Sequence, residues 1–261
     1  MKVYFIGAGP GASDLITVRG AEILRRVPMV LYAGSLVPRD MLAYCGPETE
    51  IIDTAGLHLD DQEACYMRAR ELGWDVARLH SGDPAIYGAT AEQMRRLDKL
   101  GIAYEIVPGV SSFLSAAAIL NAELTKPQVS QTIIITRTSG RASPVPEREA
   151  LRELASHGST LCIFLSGARL QQVVDDLGLH YPPQTPVALV YKATWPQEKI
   201  YRGTLGTMMS EISVGDWQLS TMMLVGHVLD HAEVGESQLY SKDYSHRFRS
   251  AGKTSDRESP A

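Results

Sequence analysis

The run Gly7-Ala8-Gly9-Pro10-Gly11 closes an apolar strand, Val3 to Ile6, and leads into a helical pattern that begins near Ser13. A turn this rich in glycine lets backbone approach a ligand closely, because no Cβ intervenes. Gly7, Gly9 and Ala12 satisfy the G-x-G-x-x-G/A spacing of a dinucleotide-binding loop. The rest of that fingerprint is missing. It requires an Asp or Glu about 20 residues on, at the end of the second strand, to hold the ribose hydroxyls; that strand ends Leu31-Tyr32-Ala33-Gly34-Ser35. Pro10 also lacks the N–H that a pyrophosphate would use, so the loop suits packing against a ligand better than cradling phosphate.

Two further loops have the same placement. His80-Ser81-Gly82-Asp83-Pro84-Ala85-Ile86-Tyr87-Gly88 follows the strand Val76 to Leu79 and opens a predicted helix over Ala85 to Leu100. Val107-Pro108-Gly109-Val110-Ser111-Ser112 lies between the strand Tyr104 to Val107 and an alanine-rich helix. Loops at the carboxyl ends of parallel strands are where α/β proteins bind ligands. Asp83, before Pro84 at the expected helix start, offers a carboxylate to a ligand or caps the helix with the same oxygens. Tyr87, one helical turn on, points its hydroxyl into the same cleft or packs in the core. His80 is the best-placed general base, with an ordinary pKa near 6.5, or it only hydrogen-bonds backbone. Ser111 and Ser112 serve a ligand or cap a helix. Arg137 and Arg141 flank a loop of turn-forming residues, and guanidinium groups clamp carboxylates bidentately. Lys192 ends a strand beside Ala193 and Thr194 and faces the cleft or an interdomain ion pair.

The elements that must position these residues alternate in the first half. Strands are expected at Val3 to Ile6, Met29 to Tyr32, near Ile51, Val76 to Leu79 and Tyr104 to Val107; helices at Leu15 to Arg26, Gln62 to Leu72, Ala85 to Leu100 and Val110 to Leu120. That alternation predicts an α/β fold with a mainly parallel sheet. Thr125-Lys126-Pro127 is the expected linker, since Pro127 biases Lys126 away from helix. The second half predicts strands at Thr132 to Thr136, Leu161 to Leu165, Val187 to Tyr191, Lys199 to Thr204 and Met222 to Leu229, with helices over Glu147 to His157 and Leu170 to Leu177. Short final connections permit antiparallel pairing, hence a mixed sheet. Two α/β domains are therefore expected, residues 1–123 and 128–231, with a partly disordered polar tail over 232–261.

The chain has 261 residues, enough for two buried cores, and its 44% hydrophobic and 21% charged content is that of a globular protein. A net charge of −5 argues against a nucleic-acid partner, which calls for a basic face. No apolar run reaches the roughly 20 residues of a membrane span, and the start Met1-Lys2-Val3-Tyr4 has no leader pattern, so a cytoplasmic location and no membrane partner are expected. The three cysteines, Cys45, Cys65 and Cys162, lack disulfide or zinc spacing, and the histidines lack metal-ligand spacing. Cys162 reads as a core thiol, and no protein-bound metal is expected.

A strand followed by GxGPG, a GDP loop and a PGVSS loop, in this order, resembles the tetrapyrrole methylase family over roughly residues 1 to 230. The resemblance implies S-adenosylmethionine (SAM) as methyl donor, S-adenosylhomocysteine as product, a tetrapyrrole substrate, a homodimer, and a site in the cleft between two domains. It implies a SAM pocket lined by Pro10, Ser81, Gly82, Asp83, Ile86, Ser111, Ser112, Leu165, Ala193 and Thr194, with Asp83 nearest the sulfonium or the amino group. Arg137, Arg141 and Lys192 are then candidates for binding substrate carboxylates. Members acting on uroporphyrinogen carry Leu-Tyr-Asp at the end of the second strand, where this chain has Tyr32-Ala33-Gly34. Ile135 to Arg141, Pro144 to Glu147, Val190 to Pro196 and the tail from Leu239 to His246 are similar to a later branch, which implies methylation at C11 of precorrin-4 or its cobalt counterpart. The alternatives are another corrin carbon or, in a different class, a noncatalytic NAD- or nucleotide-binding module.

Overall fold

The computed structural model describes residues 1–140, 143–230, 241, 244–245 and 247–250. The first sheet is wholly parallel. Its central strand β1 (Lys2–Gly7) lies between β4 (Val76–His80) and β5 (Ala103–Val107), and β4 is joined through β2 (Met29–Tyr32) to the edge strand β3 (Glu50–Asp53). Alternate side chains of β1 feed two cores. Val3 and Phe5 pack with Tyr66, Ala69 and Leu97, while Tyr4 and Ile6 pack with Ile23, Leu24 and Met41. Helices α1 (Val18–Arg26), α2 (Leu59–Glu71), α3 (Thr90–Leu100) and α4 (Ser112–Ile119) make the crossovers or follow β5. The register sets Gly7 opposite His80 and Ile6 opposite Val107, so the loops after β1, β4 and β5 leave one sheet edge together.

The second sheet is mixed, as its short connections imply. β6 (Ile133–Arg137) runs parallel to β7 (Thr160–Phe164); β10 (Thr221–Val225), β8 (Pro186–Tyr191) and β9 (Lys199–Thr204) continue it antiparallel. One face packs on α5 (Leu151–Ala155) and α6 (Leu170–Leu177); a short α7 (Met208–Glu211), not foreseen, adds Met208 to that core. The other face, through Cys162, Ala188, Val190, Met222 and Leu224, packs on Ala116, Ala117 and Leu120. The helix that follows the third loop is thus buried against the second sheet, which fixes that loop between the two halves. Cys162 is fully buried, and burial pushes its thiol up to about 12.

Three expected elements differ. The helix expected from Ala85 starts at Thr90, because Tyr87 and Ala89 take left-handed backbone angles, φ 52° and 49°, which a helix cannot contain. Asp83 and Tyr87 therefore sit on a loop, not on a helix. The strand expected to reach Leu229 stops at Val225, since Gly226 at φ 138° turns the chain into a single 3-10 turn. The helix expected over Glu147 to His157 is broken at Ala150, whose extended backbone separates a 3-10 turn from α5. Most of the tail, and Arg141, lie outside the described residues.

Candidate active site between the two sheets

The three glycine loops dock on one another through backbone. The Ala8 and Gly9 N–H groups donate to the carbonyls of His80 and Gly82 at 2.8 and 3.2 Å, and the Gly82 N–H returns a bond to Gly9 at 2.7 Å. A Cβ on Gly7 would stand 2.5 Å from the Gly109 Cα and 2.7 Å from the Gly82 carbonyl; one on Gly109 would stand 2.6 Å from the Gly7 Cα. No side chain fits where these loops meet, which is the physical reason for glycine at both positions. Asp83 ties the second loop to the third: Oδ2 accepts from the Gly109 N–H at 2.8 Å and Oδ1 from the Ala85 N–H at 2.7 Å.

A cavity of about 440 Å³ opens beside these loops, within the range of about 300–1,000 Å³ usual for small-molecule sites. Pro10, Ser81, Gly82, Asp83, Ser111 and Ser112 wall it from the first half; Phe164, Leu165, Val190, Lys192, Ala193 and residues 218–222 close it from the second. Four large apolar side chains at its lining are exposed: Leu36 by 50%, Tyr87 by 46%, Leu165 by 65% and Leu219 by 76%. An apolar rim of that kind marks a binding surface.

The loop after β8 clasps the first glycine loop. Trp195 Nε1 donates to the Pro10 carbonyl at 2.9 Å, and the Ala12 N–H donates to Thr194 Oγ1 at 2.8 Å. Gly11 leaves room for the indole, since a Cβ there would stand 2.6 Å from Trp195 Nε1. Lys192 and Thr194 in this loop, with Tyr87, Leu165 and Ser220, hold positive φ angles of 47° to 66°. Such conformations cost on the order of 1–3 kcal/mol each and persist where the surrounding structure over-determines them, commonly at functional sites.

The geometry has a counterpart among known proteins. The family model of Tetrapyrrole (Corrin/Porphyrin) Methylases matches residues 2–209. The chain belongs to this family. It is 50% identical over 252 residues to the precorrin-4 C(11)-methyltransferase of a Sinorhizobium species, covering 97% of this chain and 100% of the relative. Among solved structures it is similar to cobalt precorrin-4 methyltransferase, a cobalamin biosynthetic enzyme, with a TM-score of 0.84 and 45% identity over 88% of this chain and 96% of that one. It is also similar to uroporphyrin-III C-methyltransferase from Thermus thermophilus, solved with S-adenosyl homocysteine, with a TM-score of 0.74 and 26% identity over 88% and 99% of the two chains.

In this methylase the structure brings most of the residues expected from the sequence into one cavity. Pro10, Ser81, Gly82, Asp83, Ile86, Tyr87, Ser111, Ser112, Leu165, Lys192 and Ala193 all line it. Ser111 is the N-cap residue of α4 by backbone, yet its side chain makes no capping bond. Thr194 does not line the cavity; its hydroxyl is committed to Ala12 in the clasp. His80 does not line it either: it is buried, and burial together with the Arg78 charge pushes its pKa down to about 3. Arg137 stands just behind the wall, its guanidinium 5.9 Å from the Tyr87 ring centre and hydrogen-bonded to the Ser143 carbonyl. Lys192 Nζ lies 5.1 Å from the Trp195 ring centre and 5.6 Å from that of Tyr191, with no ion pair among the described residues.

The sequence reading missed Ser35, Leu36, Phe164, Gly167, Val190, Trp195 and the segment 218–222 of the lining. Trp195 carried a legible signal, an aromatic inside the Lys192-Ala193-Thr194-Trp195-Pro196 turn. The acid sought at the end of the second strand comes from its neighbour instead. Asp53, at the end of β3, accepts from the Gly34 and Ala55 N–H groups at 2.9 Å each, so it shapes the turn before Ser35 and is occupied by backbone.

Proposed function

We propose that this chain transfers the methyl group of SAM to C11 of precorrin-4, or of its cobalt-containing counterpart, in cobalamin biosynthesis. The observation that carries the reading is the single cavity walled by the three glycine loops, in a chain whose near-full-length relatives bear the name of this reaction. In this reading residues 1–123 and 128–231 are two domains, and the cavity is the cleft between them.

The residues present fit SAM. Backbone at Gly82 is bare of a side chain, Pro10, Ile86 and Ala193 supply apolar walls, and Asp83 supplies the one carboxylate of the described lining. An ionised carboxylate has about four acceptor sites; two of those on Asp83 are filled by backbone N–H groups, which leaves capacity for a cationic group. When bound, the donor brings an electrophilic methyl on a sulfonium cation, and the electron-rich macrocycle supplies the attacking carbon. The chain's own work is then alignment and exclusion of water. Tyr87, Leu165, Leu36 and Leu219 offer an apolar rim to the macrocycle, and Lys192 and Arg137 offer charge to its carboxylates. Burial raises the Tyr87 phenol above its ordinary pKa, more than Arg137 lowers it, so in this reading the hydroxyl contributes as a neutral hydrogen-bonding group.

The reading is tested by incubating the protein with SAM and enzymatically made precorrin-4, then taking the mass and NMR spectra of the recovered tetrapyrrole. One added methyl at C11 is the expected result, and repetition with the cobalt complex identifies the natural substrate. A methyl at a different carbon overturns the C11 assignment, and no transfer at all overturns the reaction.

A further inference from the structure

His80 ends β4 directly beneath the second loop, 6% exposed and outside the cavity wall. Its ring lies 5.7 Å from that of Phe5 on the neighbouring strand β1, tilted by 53°. On the same strand face, two residues earlier, Arg78 is 7% exposed and bonds Gln93 Oε1 at 3.2 Å, with no ion pair among the described residues. The Arg78 guanidinium is therefore a positive charge close to His80 that disfavours an imidazolium.

The loop from Ser81 to Ala89 is wound round this imidazole. Thr90 Oγ1 donates to the Pro84 carbonyl at 2.7 Å, which ties the middle of the loop to the first residue of α3. Gly88 fills the space between: a Cβ there would stand 2.6 Å from the Pro84 carbonyl, 2.8 Å from Thr90 Oγ1 and 3.3 Å from His80 Nδ1. The Gly88 backbone passes against Nδ1 and favours a proton there. With the proton on Nδ1, the other nitrogen is a bare acceptor, and Nε2 is indeed a buried atom without a partner among the described residues. On either side of Gly88, Tyr87 and Ala89 are held at φ 52° and 49°, conformations that persist only when contacts elsewhere enforce them. Asp83, Ile86 and Tyr87, all in this loop, line the cavity.

We propose that His80 is a positioning residue: its Nδ1 anchors Gly88 and so holds the Asp83 to Tyr87 stretch in the shape that receives the methyl donor. This rests on the donor reading above. The side chain of Asn places an amide nitrogen near the position of Nδ1, whereas that of Gln places it near Nε2, so the pair of variants separates anchoring from mere filling of the core.

The experiment is calorimetric binding of S-adenosylhomocysteine, with steady-state kinetics, for the wild type and for His80→Asn, His80→Gln and His80→Leu. His80→Asn is expected to bind within about three-fold of wild type. His80→Gln and His80→Leu are expected to bind roughly ten-fold more weakly, which corresponds to about 1.4 kcal/mol, with KM for SAM raised and kcat at saturating SAM within about two-fold. Should the Leu variant not fold, the Asn and Gln pair decides alone. Equal affinity in all variants overturns the proposal and leaves the donor reading intact. A fall in kcat with unchanged KM makes His80 a general base and also overturns it. Failure of the wild type to bind S-adenosylhomocysteine overturns the donor reading itself.

Discussion

Asp83 in the loop after β4 accepts a hydrogen bond at 2.8 Å from the backbone N–H of Gly109 in the loop after β5. The carboxylate therefore has two functions, joining two loops and facing the cavity. Asp83→Asn keeps one acceptor oxygen and puts an NH2 donor in place of the other, so either the Gly109 or the Ala85 N–H loses its acceptor. Loss of a charge-assisted bond of this kind costs about 1.5–3 kcal/mol, so S-adenosylhomocysteine binding is expected to weaken roughly ten- to hundred-fold. Isothermal titration checks it; unchanged affinity would remove Asp83 from the donor site.

Gly7→Ala and Gly109→Ala each place a methyl at 2.6 Å or less from backbone atoms. Overpacking against atoms that cannot rotate aside costs about 1–3 kcal/mol. Both variants are expected to lower the thermal midpoint and to lose donor binding together. Gly101→Ala and Gly158→Ala, where nothing lies within 4 Å but φ is 62° and 61°, isolate the cost of backbone strain alone and should leave donor binding unchanged.

Arg137→Gln removes the guanidinium near the Tyr87 ring. The KM for the tetrapyrrole is expected to rise about ten-fold, corresponding to roughly 1.4 kcal/mol, with S-adenosylhomocysteine affinity unchanged. Tyr87→Phe keeps the ring and its 5.1 Å approach to Phe164, so it should retain most activity, while Tyr87→Ala should not. If Tyr87→Phe is as impaired as Tyr87→Ala, the hydroxyl matters and the ring does not.

The Asp53 carboxyl is held below its usual pKa, chiefly by the Ala55 N–H and then by the Gly34 N–H. A carboxyl depressed in the folded state stabilises it fully above the unfolded pKa of about 3.9 and loses that contribution as pH falls through the folded value. The difference in thermal midpoint between wild type and Asp53→Asn should therefore be constant from pH 7 to pH 5 and narrow as pH falls below about 4. A difference that does not change with pH would show that the carboxylate charge plays no part in the turn.

Much of this architecture was legible because it is local. The strand Val76 to Leu79, the turn Gly82-Asp83-Pro84 and the Gly109 loop announce themselves by apolar runs and turn formers, and parallel pairing follows from alternation. What was missed depends on contacts distant in sequence. Helix α3 starts late because Gly88 packs on His80 and Thr90, and no periodicity reports that. Leu36, Leu219 and Met222 reach the cavity only because two sheets face each other. Thr194 carries the composition of a wall residue, but its hydroxyl turns to Ala12.

The indole of Trp195 sits against Gly11 and bonds the Pro10 carbonyl, so it is an optical probe built into the seam between the halves. Trp74 packs in the core of the first sheet and Trp217 in that of the second, which leaves Trp195 as the tryptophan of the cavity wall. Its emission should therefore respond to occupancy of the cavity, and a Trp195→Phe variant should lose that response, giving a label-free titration of a cofactor that is itself colourless in the visible.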